Sequence, residues 1–179
     1  MISILLLLAL ARPPFSVCVG EEWPQSRFDS RRSGHAAGRS VETPLGLLAA
    51  IPMKDALYTS PVVAGGLAYV VDGSGTATCV DGRTFQVRWR YDASGGLRSG
   101  DHVSSPALAG TYLHFGTTAG RYVVLDAVQG TLVRELDFGS PIWSAPAVSG
   151  DRVYVATVGA EVHALQPDGT VCWTWDFVK

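Results

Sequence analysis

The chain repeats one hexapeptide three times: SPVVAG at residues 60–65, SPALAG at residues 105–110 and APAVSG at residues 145–150. The prolines of the three copies, Pro61, Pro106 and Pro146, lie 45 and 40 residues apart. Self-similarity at an interval of this size is typical of architectures built from one repeated supersecondary unit. The repeat is therefore the feature from which the fold class follows.

Each copy continues in the same way. An apolar stretch contains the equivalent residues Tyr69, His114 and Tyr154, and the turn after it contains Gly75, Gly120 and Gly159. A second apolar run ends at Asp81, Asp126 or Gln166, and a last segment carries Trp89, Arg134 or Trp173. Four short strands fit a unit of about 40 to 45 residues with glycine turns, as one blade of a β-propeller requires.

The repeat predicts an all-β chain that forms a partial β-propeller of four-stranded antiparallel blades. About three blades fall near residues 58–101, 102–142 and 143–179, with a partial blade before them. Closed propellers have typically 4 to 8 blades. We therefore expect residues 23–179 to be an incomplete propeller, the amino-terminal part of a longer one.

The last strand of a unit alternates strictly between the two faces of its sheet. Residues 87–91 and 171–177 place every second residue, including Trp89, Trp173 and Trp175, on one face, and this period of two excludes a helix. We expect these indole rings to pack in the core between neighbouring blades, each burying on the order of 150 to 250 Å².

Composition narrows the classes of function. The 179 residues are 47% hydrophobic and 17% charged, against a globular average of about 25% charged, so the chain is predicted to fold. Lysine and arginine number 14 against 16 aspartates and glutamates, for a formal net charge of −2, and no basic block occurs. Nucleic-acid binding requires such a block, so no nucleic-acid partner is expected.

The amino terminus predicts export. Residues 2–11 are uninterruptedly apolar, too short to span a bilayer but the right length for a secretory signal, and Ala9-Leu10-Ala11 has the pattern of a cleavage site. We predict a signal peptide and leader over residues 1–22 and a periplasmic or extracellular protein. A buried first strand is the alternative. Cys18 also suggests acylation and membrane association, although Val17 stands where such sites have a small residue.

No catalytic, metal-binding or cofactor-binding set can be assembled from the sequence. Asp81 and Asp126 each stand before a turn, where a carboxylate accepts backbone N–H groups, and a metal or catalytic role is the weaker interpretation. His102 follows Asp101, a pair that suits a general base but more often lies in a solvated loop. Cys79 and Cys172 are predicted to be inert, whether paired, buried or neither.

One residue is a candidate for contact with a ligand or partner. Trp143 precedes the third hexapeptide at the position that Tyr58 and Val103 occupy in the other two units. In a propeller this position leads into the strand that lines the central channel. Structural packing of the indole is the more common alternative for an aromatic residue.

The repeat resembles the PQQ-like β-propeller repeat family, which includes BamB-type outer-membrane assembly lipoproteins and quinoprotein alcohol dehydrogenases. A second feature supports the resemblance: residues 23–34, WPQSRFDSRRSG, are similar to the W-P-x-x-R-x-D-x-x-R-x-G opening that precedes the first blade in many members. Gln166 and Arg134 depart from the Asp and Trp of the repeat, and less regular blades are expected there. The resemblance implies an exported, non-catalytic protein-interaction or scaffold module with an unidentified protein partner.

The alternative that the resemblance implies is the amino-terminal part of a PQQ-dependent quinoprotein dehydrogenase. The dehydrogenase site uses Ca²⁺ held by carboxylate and asparagine oxygens, a tryptophan platform, an aspartate base and two neighbouring cysteines. This chain has no asparagine and no Cys-Cys pair. PQQ and calcium are therefore expected only under this alternative, and otherwise no cofactor is predicted.

Overall fold

The computed structural model describes residues 22–38, 44–95 and 101–179, together with the backbone of residues 3–10. Cys18, the end of the predicted cleavage site and the glycine-rich connection at residues 96–100 lie outside the described residues. Within the described part, no helix is long and apolar enough to span a bilayer.

The described residues form fourteen strands. Two of them precede the repeats, β1 (Ser3–Leu10) and β2 (Leu45–Met53). The first repeat contains β3 (Val62–Ala64), β4 (Leu67–Val71), β5 (Thr76–Asp81) and β6 (Val87–Asp92). The second contains β7 (Ala107–Ala109), β8 (Tyr112–Gly116), β9 (Arg121–Asp126) and β10 (Leu132–Asp137). The third contains β11 (Ala147–Ser149), β12 (Arg152–Ala156), β13 (Glu161–Leu165) and β14 (Val171–Asp176).

Each repeat is one four-stranded sheet in which sequential strands pair. The sheets have the orders β3-β4-β5-β6, β7-β8-β9-β10 and β11-β12-β13-β14, and every pair is antiparallel. Each repeated proline stands immediately before the short first strand, where its missing N–H interrupts no ladder. The prediction of partial propeller blades is confirmed.

The short first strands lie on the inner side of the arc, because β3 contacts β7 and β7 contacts β11. Between the first two blades, the buried core includes Val71, Cys79, Leu113 and Phe115. Between the second and third blades it includes Tyr122, Val124, Ile142, Val153 and Leu165. The blades therefore stack face to face, which explains why their middle strands are apolar on both faces.

The opening segment, which we define as residues 22–34, crosses the inner edges of all three blades. Trp23 exchanges two backbone hydrogen bonds with Val63 of β3, of 2.7 and 2.9 Å. The Pro24 carbonyl accepts the N–H of Leu108 of β7 at 2.7 Å. The Gln25 side chain completes the series at Val148 of β11, donating to its carbonyl at 3.0 Å and accepting its N–H at 2.9 Å. Three consecutive residues thus satisfy the inner strand of three successive blades.

A bulge recurs at one place in every blade. In the pairing of the third and fourth strands, the register shifts just before Trp89, Arg134 and Trp173, leaving an extra residue at Arg88, Val133 and Cys172. A bulge of this kind bends a strand and re-aims the following side chain. Each blade therefore directs the residue at this position in the same way.

The re-aimed side chain contacts a turn of the next blade. The Trp89 indole N–H donates to the Ala127 carbonyl at 3.0 Å, and its ring covers Gly130. Arg134 holds the equivalent place in the second blade and donates to the Asp168 carbonyl at 3.2 Å, beside Gly169. The expected irregularity at Arg134 is therefore not found, since arginine keeps the contact with the next blade.

The corresponding face of the third blade is open among the described residues. Trp173 is 48% exposed, Trp175 61% and Phe177 68%. The expectation of core packing holds for Trp89, which lies against the interblade core, and is wrong for Trp173 and Trp175. The reason is that the described chain places no blade against β14.

The apolar amino-terminal run forms β1, which pairs antiparallel with β2 from Ser3↔Met53 to Leu10↔Leu45. Ile51 and Met53 of β2 pack against Val70 and Val80 on the outer face of the first blade. The structure thus places this run in a strand, and the signal peptide stays a prediction.

Candidate functional site

Three aromatic side chains, one from each blade, lie in line at the inner ends of the blades. The ring centroids of Tyr58 and His102 are 5.7 Å apart with planes at 84°, and those of His102 and Trp143 are 5.9 Å apart at 48°. Tyr58 is 71% exposed and Trp143 63%, and His102 is exposed as well. We call Tyr58, His102 and Trp143 the aromatic row.

The blades hold the aromatic row in place. Tyr58 and Trp143 each stand four residues before a first strand, at β3 and β11. The His102 N–H donates to Thr118 Oγ1 at 2.8 Å and its carbonyl accepts the Thr118 N–H at 2.9 Å, which fixes His102 on the turn after β8. Beside Trp143, Ile142 is fully buried against Gly116 and its N–H donates to the Thr117 carbonyl.

Carboxylates lie beside the row. A Cβ on Gly73 would stand 3.2 Å from Cε2 of Tyr58 and 3.3 Å from Oδ2 of Asp55, so that ring edge and that carboxylate border the same point. Asp101 precedes His102, and its Oδ1 accepts the Thr118 hydroxyl at 3.4 Å. Asp72 is buried and binds backbone N–H groups, among them those of Lys54 and Asp55. Asp55 and Asp101 are thus the acidic groups at the surface of the row.

The sequence prediction located two of the three rings. Trp143 and its counterpart Tyr58 lie where the alignment of the repeats puts them. Val103 is the aligned residue of the second blade, yet it forms a bridge with Thr117 and packs toward the core. His102, one residue earlier, takes its place in the row. The available signal was an aromatic ring one position from the aligned site.

A family model described as outer membrane protein assembly factor BamB matches residues 46–141 and, in an overlapping second match, residues 98–178. The matches together span most of the chain. The chain belongs to the PQQ-like β-propeller repeat family. No curated protein matches it in sequence.

Solved structures share the fold of this family member. A quinohemoprotein alcohol dehydrogenase from Comamonas testosteroni matches with a TM-score of 0.72 and 23% identity, over 86% of this chain and 27% of that one. BamB from Moraxella catarrhalis matches with a TM-score of 0.57 and 20% identity, over 68% of this chain and 36% of that one. A europium-containing methanol dehydrogenase matches at 0.52 and 22%, over 64% and 23%. The chain spans about a quarter to a third of the length of these proteins.

The aspartates of the PQQ-like repeat cap turns, as the sequence predicts. Asp81 accepts the N–H groups of Arg83 and Thr84 at 2.9 and 2.8 Å, and Arg88 Nη2 contacts its other oxygen at 2.5 Å. The turn N–H groups, with Arg88, hold the pKa of Asp81 far below its usual range. Asp126 accepts two turn N–H groups in the second blade. In the third blade Asp168 does so two residues after Gln166.

Two histidines and one cysteine are buried between strands. Burial lowers the pKa of His114 to about 4, opposed in part by the Pro167 backbone, and the Tyr122 hydroxyl lies 3.1 Å from its Nδ1. His163 stacks on Phe138 at 3.9 Å, and burial lowers its pKa as well. Burial raises the pKa of Cys79 to about 11, which keeps its thiol protonated, and Cys79 and Cys172 are both free.

The described residues do not fit the calcium that the dehydrogenases of the family use. Among them, no three His, Cys, Asp or Glu side chains converge closely enough to hold a metal ion. Asp81 and Asp126 turn their oxygens toward backbone N–H groups of their own turns, on separate blades. No chemistry that depends on a metal is therefore assigned to these residues.

Proposed function

We propose that this family member is a non-catalytic, exported protein-interaction module that binds its partner through the aromatic row. The observation that carries the proposal is the convergence of Tyr58, His102 and Trp143, from three separate blades, on one solvent-exposed surface. A single exposed ring is common on protein surfaces. Three in contact, each fixed by a different sheet, form a continuous patch.

The chemistry of the patch suits a protein partner. Tyrosine and tryptophan are enriched among the residues that dominate binding energy, since they bury a large area with few rotatable bonds. The anchoring of the row on sheet ends adds rigidity, which lowers the entropy cost of binding. The family model's description as an outer membrane assembly factor and the apolar residues 2–11 favour a role outside the cytoplasm.

Site-specific photo-crosslinking tests the proposal. A photoreactive phenylalanine is placed at Trp143 or at Tyr58, and for comparison at Val128, an exposed residue in the turn after β9. The chain is expressed in its native host, irradiated and analysed by mass spectrometry. We expect one protein to be captured from positions 143 and 58 but not from 128. Equal capture from all three positions, or none from the row, contradicts the proposal.

The alternative, part of a PQQ-dependent dehydrogenase, is favoured by the fold likeness to the Comamonas quinohemoprotein enzyme. Addition of PQQ and Ca²⁺ to the complete gene product, followed by quinone absorbance and dye reduction, separates the two proposals. Quinone binding with dye reduction supports the dehydrogenase. The interaction module predicts neither.

A further inference from the structure

We infer that the aromatic row and its two flanking carboxylates bind an arginine side chain on an extended segment of the partner protein. This inference rests on the proposed function and adds the chemistry of the partner. It combines two independent features: the exposed ring faces, and the negative charge of Asp55 and Asp101 beside them.

The exposed rings supply the first feature. A cation over the face of tryptophan or tyrosine, within about 6 Å of the centroid, is attracted by the negative charge of the π-face. His102 lies between the other two rings and contacts both, so the outer rings, Tyr58 and Trp143, keep most of their surface exposed. Tryptophan is the best of these platforms, which makes Trp143 the main contact.

The carboxylates supply the second feature. One oxygen of Asp55 accepts the Ala56 N–H at 2.7 Å, and the other borders the Tyr58 ring. The neighbouring cation, Lys54, is paired with Asp92 at 2.9 Å. Asp101 lies next to His102 at the centre of the row. A positive group that stacks on the rings therefore meets carboxylate oxygens at their edges.

Arginine fits this combination better than lysine. Its guanidinium is planar, so it stacks on a ring face while its edge N–H groups donate to a carboxylate. Lysine offers a compact charge without a stacking plane. An acidic partner would be repelled by Asp55 and Asp101, and a neutral one would leave both carboxylates without a new partner.

Binding of synthetic peptides to the 179-residue chain tests the inference. The probe is a twelve-residue peptide of alternating arginine and serine, and the matched peptides carry citrulline or glutamate in place of arginine. Citrulline keeps the shape and the hydrogen-bond donors but removes the charge. Affinity is measured by isothermal titration calorimetry at two salt concentrations, for the parent chain and for three variants.

We expect the arginine peptide to bind about tenfold more tightly than the citrulline peptide, and the glutamate peptide not to bind. Trp143→Ala is expected to weaken binding about tenfold, and Trp143→Phe only about threefold. Asp55→Asn combined with Asp101→Asn weakens it about fivefold and reduces its salt dependence. Trp175→Ala, an equally exposed indole on β14, serves as the control and leaves the affinity unchanged.

Equal affinity for arginine and citrulline peptides overturns the inference, as does an equal effect of Trp143→Ala and Trp175→Ala. Failure of the arginine peptide to bind overturns it too. None of these results touches the crosslinking experiment, which reports whether any protein binds at the row. A crosslinked partner without arginine preference would thus retain the proposed function and refute only its chemistry.

Discussion

At the scale of single residues, the contact between Trp89 and Gly130 shows how neighbouring blades stay in register. Gly130 has a φ of +71°, and a Cβ there would stand 2.4 Å from Cδ2 of the indole. The glycine is required twice, by the backbone conformation and by the ring that covers it. Gly139 has a similar φ of +64° with open space around it.

This pair of glycines yields a matched prediction. Gly139→Ala should cost about 1 kcal/mol, the penalty of a left-handed backbone for an ordinary residue. Gly130→Ala should cost about 3 kcal/mol, since the indole must also move. Urea unfolding followed by circular dichroism measures both. Equal costs for the two variants would show that Trp89 does not press on this turn.

His114 predicts a dependence of stability on pH. Its pKa of about 4 in the folded state lies below the unfolded value of about 6.5, so the unfolded chain binds the proton first. Its contribution is therefore complete above pH 6.5 and is lost as the pH falls toward 4, by up to roughly 3 kcal/mol. His163, whose pKa is also lowered, adds to the loss in the same direction.

The comparison of His114→Phe with His35→Phe, at an exposed histidine, tests this dependence. Unfolding free energies are measured by urea titration at intervals between pH 7 and pH 4. We expect the decline on acidification to become shallower in His114→Phe and to persist in His35→Phe. An unchanged slope in His114→Phe would mean that another group causes the acid sensitivity.

At the scale of elements, the opening segment joins strands that are far apart in sequence. Gln25 is buried and forms two hydrogen bonds with the backbone of Val148, 123 residues away. Arg32 adds hydrogen bonds to the carbonyls of Ala145 and Pro146, at 2.7 and 3.1 Å. The first and third blades are thereby connected without contact between their sheets.

Gln25→Ala is expected to destabilise the chain by about 1 to 3 kcal/mol, because it leaves two backbone groups of Val148 without partners. Amide hydrogen exchange should show lost protection at Val148 and retained protection in β4 and β5. Gln129→Ala, at an exposed side chain in the turn after β9, is the control. Retained protection of Val148 in Gln25→Ala would contradict this role of the segment.

The strands themselves were predictable, because glycine turns, prolines and the alternation of residues 87–91 are local signals. The bulge before Trp89, Arg134 and Trp173 was not, since one extra residue per strand leaves no mark on a short alternating pattern. The pairing of Gln25 with Val148 depends on the arrangement of whole blades. The aromatic row was found in part, and His102 was missed because the bridge of Val103 with Thr117 turns the aligned residue inward.

At the scale of the whole molecule, the open face of the third blade predicts self-association. Trp173, Trp175 and Phe177 lie on one exposed strand and its end, and contiguous apolar surface of this kind favours contact between proteins. We expect the average mass in sedimentation velocity to rise with concentration. Trp175→Lys should shift the population toward monomer, whereas Val128→Lys, at an exposed valine in a turn, should not. Identical behaviour of both variants would exclude this face.

The central claim is that three successive blades bring Tyr58, His102 and Trp143, spaced 44 and 41 residues apart in sequence, into one surface. Nuclear Overhauser spectroscopy on the labelled 19.0 kDa chain tests it most directly. We predict cross-peaks from the ring protons of His102 to those of both Tyr58 and Trp143. Cross-peaks to neither ring, or to one alone, would contradict the arrangement of the blades and the binding surface that depends on it.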